Sequence, residues 1–311
     1  MIINTFSIQL PVNETFRIQK NRHMPQNRSD HLKRISIVSG THGDELEGQY
    51  VCFLLNAWLN ENSHKVKGII DIYPALNSLG IDSITRGIPF FNVDLNRTFP
   101  GSKKDFLPAQ IADAIVEEIS GSDIAIDIHS SNMFLKEIPQ IRMSEAYAPS
   151  LVPLAKKMGI DFIWIHDAVT VLEATFAHAL NTRGTKTLVV EMGVGMRLTQ
   201  AYCLPLVQGI INLLASEGFL EHEECQQKEP IISEHGEVFF INAEGAGIFV
   251  TNLEHEAEVK KGDLLGRIVD PLTGEVVEYV YSPTDGLLFT LREYPIVYEG
   301  SLLARIFGDK S

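Results

Sequence analysis

The sequence is short of three things, and each shortage removes a class of protein. It has only three cysteines in 311 residues, Cys52, Cys203 and Cys225. They are far apart and odd in number, so they make neither a disulfide framework nor a paired-cysteine metal site. The simplest reading is three packing residues in a reduced, cytoplasmic protein. It lacks any apolar run of about 18 residues, so no membrane span is expected. Met1 to Leu10 has no basic residue ahead of an apolar core, so no signal peptide is expected either. Basic residues are also scarce, 26 against 40 acidic ones, for a net charge of −14. A binder of nucleic-acid backbone needs a basic face to displace counterions, so nucleic acid is excluded as a partner. What is present, 45% apolar and 21% charged residues, is the composition of an ordinary soluble globular protein. At about 150 residues per domain, the length suggests two domains.

Strands and helices alternate through the first two thirds of the chain. Two short strands and a polar loop, Asn21 to Asp30, precede the apolar run Ile35 to Ser39. Leu46, Tyr50, Phe53, Leu54 and Ala57 then recur at helical spacing, which predicts a helix from about Glu45. Gly68 to Tyr73, Asp123 to Ile128, Phe162 to Ile165 and Thr187 to Val190 read as strands. Helices are expected around Ile111 to Ile119, Val152 to Met158, Val169 to Leu180 and Leu206 to Leu213. This alternation implies an α/β fold with a mostly parallel or mixed sheet flanked by helices. Polar clusters follow Ser39, Ile128 and Val190, where sites form in such sheets. The long segment Ala75 to Pro108, rich in glycine and proline, is a further candidate for function. Past the charged stretch Glu221 to Glu229, helical periodicity gives way to short strands and Gly, Pro and Asp turns. Residues 1–228 are therefore expected to form one α/β domain, and 229–311 a small all-β domain.

Three stretches carry chemistry: Gly40-Thr41-His42-Gly43-Asp44-Glu45, Val93-Asp94-Leu95-Asn96-Arg97, and Asp127-Ile128-His129-Ser130. His42 and Glu45 are three residues apart at a strand-to-helix junction, close enough to share an ion. His129, at the end of another strand, is a possible third ligand. A catalytic zinc site takes three protein ligands of this kind and leaves a position for water. From spacing alone, a metal site and ordinary hydrogen-bonded loop residues both remain open.

The joint pattern resembles the succinylglutamate desuccinylase/aspartoacylase family of the zinc carboxypeptidase-like superfamily. His-x-x-Glu follows an early strand, Asp-x-Asn-Arg lies in a long loop, and a strand-end histidine comes next. Val189-Val190-Glu191-Met192-Gly193 supplies the glutamate that ends a later strand. The resemblance implies one Zn2+ per chain, held by His42, Glu45 and His129, with Glu191 as the base acting on water. It implies that Asn96 and Arg97 hold a substrate carboxylate, an arginine fork suiting that group. Arg86, eleven residues before Arg97, matches the arginine that polarises the scissile carbonyl. Asp94 is expected to support His42, and Asp127 either to support His129 or to serve as a plain structural carboxylate.

The implied activity is hydrolysis of the amide bond of an N-acylated amino acid or related small carboxylate, rather than of a peptide. A zinc carboxypeptidase and a catalytically inactive binding protein of the same fold are the alternatives. Glu173 to Arg183 contains no tyrosine, unlike the matching stretch of aspartoacylases, and the loop from Arg86 to Arg97 is longer, as in bacterial members that act on N-acylated amino acids. Lys260 to Gly266 and Ser282 to Gly286 resemble a biotinyl/lipoyl hammerhead, but the turn Asp270 to Glu275 lacks the carrier lysine, which implies a scaffold or lid. Tyr294 and Tyr298 are read as packing residues, either of which could instead reach the site. The remaining histidines are read as surface residues, with His23, His31 and His64 in polar N-terminal loops, and Asp44 and Glu47 beside the expected ligands are read as solvated or supporting residues. A homo-oligomer is possible. The acidic total first argues against an acidic substrate, but a divalent ion with Arg86 and Arg97 would dominate the field inside the cleft. The expectation is an acidic protein with a cationic pocket.

Overall fold

The apolar runs of the first two thirds pair side by side because each is flanked by segments too polar or too helical to extend it. In the computed structural model, residues 1–26, 31–166, 173–223, 225, 228–253 and 256–309 are described. The chain begins with β1 (Ile2–Gln9), β2 (Thr15–His23), β3 (Arg34–Ser39), α1 (Glu47–Glu61), β4 (Ile69–Tyr73), α2 (Ser78–Ser83) and α3 (Leu107–Ile119). It continues with β5 (Ile124–Ser130), β6 (Leu135–Met143), α4 (Ala148–Lys157), β7 (Phe162–Ile165), α5 (Phe176–Asn181), β8 (Lys186–Gly193) and α6 (Gln200–Ser216). The β-rich end holds β9 (Ile231–Ile232), β10 (Glu237–Asn242), β11 (Gly247–Val250), β12 (Glu258–Val259) and β13 (Leu264–Val269). β14 (Val276–Tyr281), β15 (Gly286–Arg292), β16 (Ile296–Val297) and β17 (Leu302–Gly308) complete it.

The main sheet is mixed, in the order β1-β2-β4-β3-β5-β8-β6-β15-β17-β10. Its centre, β4-β3-β5-β8, is parallel. These strands are buried on both faces, which is why they read as continuous apolar runs. On one face Ile35 and Ile37 pack with the apolar stripes of α1, α4 and α6. On the other, Val38 and Ala125 pack with α3 and α5. The fold class is the one expected, with the β-rich region at the C-terminal end. That region is continuous with the main sheet, because Thr290, Leu291 and Arg292 of β15 pair with Glu137, Lys136 and Leu135 of β6. Four of its strands, β14-β13-β11-β16, form a second sheet.

Several local expectations shift. Helix α1 starts at Glu47, so Glu45 lies in the turn before it. β5 runs on through His129 and Ser130. β2 reaches His23, which is buried against Asn56 and is not a loop residue. Strand β6 has no counterpart among the expected elements. The helix expected over Val169 to Leu180 is described only from residue 173, and within that part α5 forms from Phe176; residues 167–172 and His255 lie outside the described residues. Cys52 and Cys203 are buried as expected, whereas Cys225 is exposed.

Candidate metal centre and active site

Parallel β3, β5 and β8 end at one edge of the sheet, and that edge carries the polar clusters. His42 and Glu45 lie in the turn leaving β3, which packs closely on the segment after β4. A Cβ on Gly43 would stand 2.0 Å from the Gly80 carbonyl carbon, so only glycine fits there. Asp127 and His129 are two apart on β5 and project to the same face. His129 and Glu191 are register partners across β5 and β8, which puts their side chains on that face together.

His42, Glu45 and His129 are all buried, and their donor atoms lie within 4.8 Å of one another. Nδ1 of His42 is 2.7 Å from Glu45 Oε1, and Nδ1 of His129 is 3.0 Å from Glu45 Oε2. The outer nitrogens point away to carboxylates: His42 Nε2 is 3.0 Å from Asp94 Oδ1, and His129 Nε2 is 2.9 Å from Asp127 Oδ2. This geometry presents both Nδ1 atoms and the Glu45 carboxylate inward, while Asp94 and Asp127 take the protons on the outer nitrogens and so select the tautomer a metal needs. The Ser130 backbone amide also donates to Glu45 Oε2 at 3.0 Å. Burial disfavours a proton on His129, but the carboxylates of Asp127 and Glu45 on its two sides outweigh that and raise its proton affinity well above an ordinary imidazole. His42 is raised in the same way, its burial being outweighed by Glu45 and Asp94. Burial opposes ionisation of Glu45, yet the two histidines hold its carboxyl well below the usual carboxylate range. Three carboxylates and two histidines gathered in one place are thus compensated by protons, and a divalent cation would replace those protons.

Beside this cluster a cavity of about 180 Å³ opens, with Asn96, Arg97, Asp127, His129 and Glu191 in its wall. Asn96 Oδ1 accepts from the Phe176 amide at 2.9 Å, at the start of α5. That bond orients the side chain and turns its amide NH2 away from the helix. Arg97 is exposed; its Nη1 donates to the Asn96 backbone carbonyl at 2.7 Å, and among the described residues it forms no ion pair with a carboxylate. Glu191 retains 18% exposure toward the cleft. Burial raises its carboxyl to about 7, a shift that Arg142 and His129 oppose and the Glu137 and Glu45 carboxylates reinforce. Arg86 comes to the cluster but not to the cavity wall. Its Nη1 donates to Glu45 Oε1 at 2.9 Å and its Nε lies 3.4 Å from Asp94 Oδ2.

Other residues carry more than the sequence suggested. His166 and His178, read as surface residues, line the cavity with Tyr147 and Arg142. Glu47 is fully buried. It accepts from the Ser130 hydroxyl, and from the Val194 amide and Thr199 hydroxyl at 3.4 Å each, tying the ends of β5 and β8 together. Gly193, at φ +68°, leaves room for it: a Cβ there would stand 2.1 Å from Glu47 Oε1. Spacing hinted at this, since Glu47 opens α1 beside the expected ligands. Tyr294 and Tyr298 do not line the cavity; Tyr294 packs edge-on against Phe134 at 5.8 Å between ring centroids, and Tyr298 is 72% exposed.

Residues 31–216 match the family model of the succinylglutamate desuccinylase/aspartoacylase catalytic domain. The chain belongs to the succinylglutamate desuccinylase/aspartoacylase family. An N-alpha-acetyl-L-2,4-diaminobutyric acid deacetylase from Halomonas elongata is 27% identical over 277 residues, covering 87% of this chain and 77% of the relative. The product-bound ectoine utilization protein EutE (DoeB) from Ruegeria pomeroyi superposes with a TM-score of 0.82 at 21% identity, covering 97% of this chain and 93% of the other. A succinylglutamate desuccinylase from Silicibacter sp. TM1040 gives a TM-score of 0.83 at 20% identity, covering 99% and 94%. At such identities the structural likeness speaks for the family fold, and it extends through the β-rich end.

Proposed function

We propose that this member of the family is a zinc-dependent amide hydrolase that removes the acyl group from a small N-acylated amino acid. The observation that carries the reading is a His-Glu-His donor cluster whose His129 shares a cavity wall with the partly buried carboxylate of Glu191 and with Arg97, which forms no ion pair among the described residues. Two imidazole nitrogens and one carboxylate are the donor set of catalytic zinc sites. Bound there, zinc would supply a Lewis acid and a water acidified toward neutrality.

The side chains divide the remaining work. Arg97 takes the substrate carboxylate through two charge-assisted hydrogen bonds, and the Asn96 amide adds a donor. Glu191, raised toward neutrality, accepts a proton from the attacking water and delivers it to the amine as the carbon–nitrogen bond breaks. One water is consumed, and one carboxylate and one amine are released. Arg86 lies beside Glu45 and Asp94, where it can turn toward a developing oxyanion. A cavity of about 180 Å³ lies below the range usual for drug-sized ligands, which favours a small acylated amino acid over a peptide. The name of the Halomonas relative points to the same substrate class.

The test is hydrolysis of a panel of N-acetyl and N-succinyl amino acids and short peptides by zinc-loaded protein. The reading expects zinc-dependent release of amine from some of the acyl amino acids. Release of C-terminal residues from peptides alone would replace it with a carboxypeptidase, and zinc-independent turnover would overturn it.

A further inference from the structure

Strand β6 brings a second arginine into the cavity. In the antiparallel ladder of β6 with β8, Arg142 is opposite Val189 and therefore on the face that carries Glu191. Arg142 Nη1 stands 3.6 Å from Glu191 Oε1. Unlike Arg97, this guanidinium is already engaged by a buried carboxylate through its second terminal nitrogen. Its Nη2 donates to both carboxylate oxygens of Glu137, at 2.7 and 2.6 Å. Its Cζ lies over the Trp164 ring, 5.0 Å from the centroid.

Glu137 is itself only 2% exposed, so its charge needs partners, and the second one comes from the β-rich end of the chain. Arg305 of β17 donates to Glu137 Oε1 at 2.5 Å, and the Thr290 hydroxyl of β15 adds a bond at 3.4 Å. Arg305 also lies over Trp164, 5.2 Å from its centroid. Trp164 is thus flanked by both arginines, and Glu137 bridges them. The chain of contacts runs Arg305, Glu137, Arg142, Glu191.

We propose that Arg142 is a positioning residue for the Glu191 carboxylate, and that the C-terminal β-region holds it in place through Arg305 and Glu137. The proposal rests on Glu191 acting as the base. A carboxylate of the substrate is better served by Arg97, which forms no ion pair among the described residues, whereas Arg142 already has the Glu137 and Glu191 carboxylates beside it. The β-region then contributes to turnover without touching substrate.

The experiment compares Arg142→Met, Arg142→Lys and Arg305→Met in the full-length zinc-loaded protein on the best substrate of the panel. Arg142→Met should lower kcat about tenfold to hundredfold, the scale of a misplaced reacting group, with KM within about twofold. Arg142→Lys should recover part of that loss, since it keeps the charge but not the fork. Arg305→Met should lower kcat in the same direction by about threefold, because Glu137 keeps one of its two guanidinium partners. In a Glu191→Gln background, where turnover is blocked, adding Arg142→Met should leave the Kd for the acyl amino acid unchanged by calorimetry. A tenfold weaker Kd or a matching rise in KM would overturn the proposal and make Arg142 a substrate ligand. Unchanged kcat in Arg142→Met would overturn it too, and unchanged kcat in Arg305→Met would overturn the role of the β-region. Failure of the wild-type protein to hydrolyse any acyl amino acid strikes instead at the function on which the proposal rests.

Discussion

Asp127→Asn is the perturbation that most sharply separates a supporting carboxylate from a plain structural one. Asp127 Oδ2 is 2.9 Å from His129 Nε2, and the residue is 1% exposed. The carboxylate accepts only, so it holds the proton on Nε2 and leaves the Nδ1 lone pair for a metal. An asparagine amide can present its NH2 instead, which would put the proton on the wrong nitrogen. Loss of such a carboxylate typically weakens metal binding or activity about 10–100-fold, or about 1.4–2.7 kcal/mol. Asp94 makes the same kind of contact with His42 at 3.0 Å, but its side chain is 27% exposed and has Arg86 beside it. Water and that guanidinium dilute its effect, so Asp94→Asn should cost less. The assay is competition for zinc against a chelator of known affinity, on refolded, metal-free protein with an unchanged melting profile. Unchanged zinc affinity in Asp127→Asn, or a larger loss in Asp94→Asn, would refute the reasoning.

Further outcomes follow from the same geometry. Arg97→Lys keeps the charge but loses the two-pronged grip, so KM should rise about tenfold with kcat little changed in steady-state assays; an unaltered KM would remove Arg97 from substrate binding. Burial raises the Glu191 carboxyl from 4.5 to about 7 in the metal-free protein. A raised acid stabilises the fold below its unfolded value and loses that contribution as pH rises through the folded value. Metal-free Glu191→Gln should therefore be more stable than metal-free wild type by about 1–3 kcal/mol at about pH 8, with the difference shrinking through about pH 5 and vanishing below about pH 4 in denaturant titrations. Gly193→Ala would force Glu47 aside from a position 2.1 Å away and place alanine at φ +68°, so a loss of at least about 2 kcal/mol is expected by chemical denaturation. Chelation of the metal should lower Tm, and restoring zinc should recover it, because the ion binds the folded chain.

The central strands were legible because burial on both faces leaves an unbroken apolar run, and the parallel fold and its site-bearing edge followed from their alternation with helices. The donor cluster was legible because three of its members stand at strand ends in short motifs. What escaped was β6, with Pro139 in its middle and Lys136, Glu137, Gln140 and Arg142 along it. No apolar alternation marks it, since its polar residues are satisfied by partners far along the chain, Arg305 being 168 residues from Glu137. Arg142 was hidden for that reason. His166 and His178 were unreadable for a similar one: only tertiary folding brings β7 and α5 to one cavity. The continuity of the β-rich end with the main sheet depends on the short β6–β15 ladder, which local patterns do not encode.

The central claim is that Glu191 acts as the base beside a bound zinc. Its most direct test is Glu191→Gln, measured for zinc content and for hydrolysis of the best acyl amino acid together. The account predicts one zinc per chain retained and turnover reduced about 10²–10⁴-fold. Turnover equal to wild type with zinc in place would contradict it.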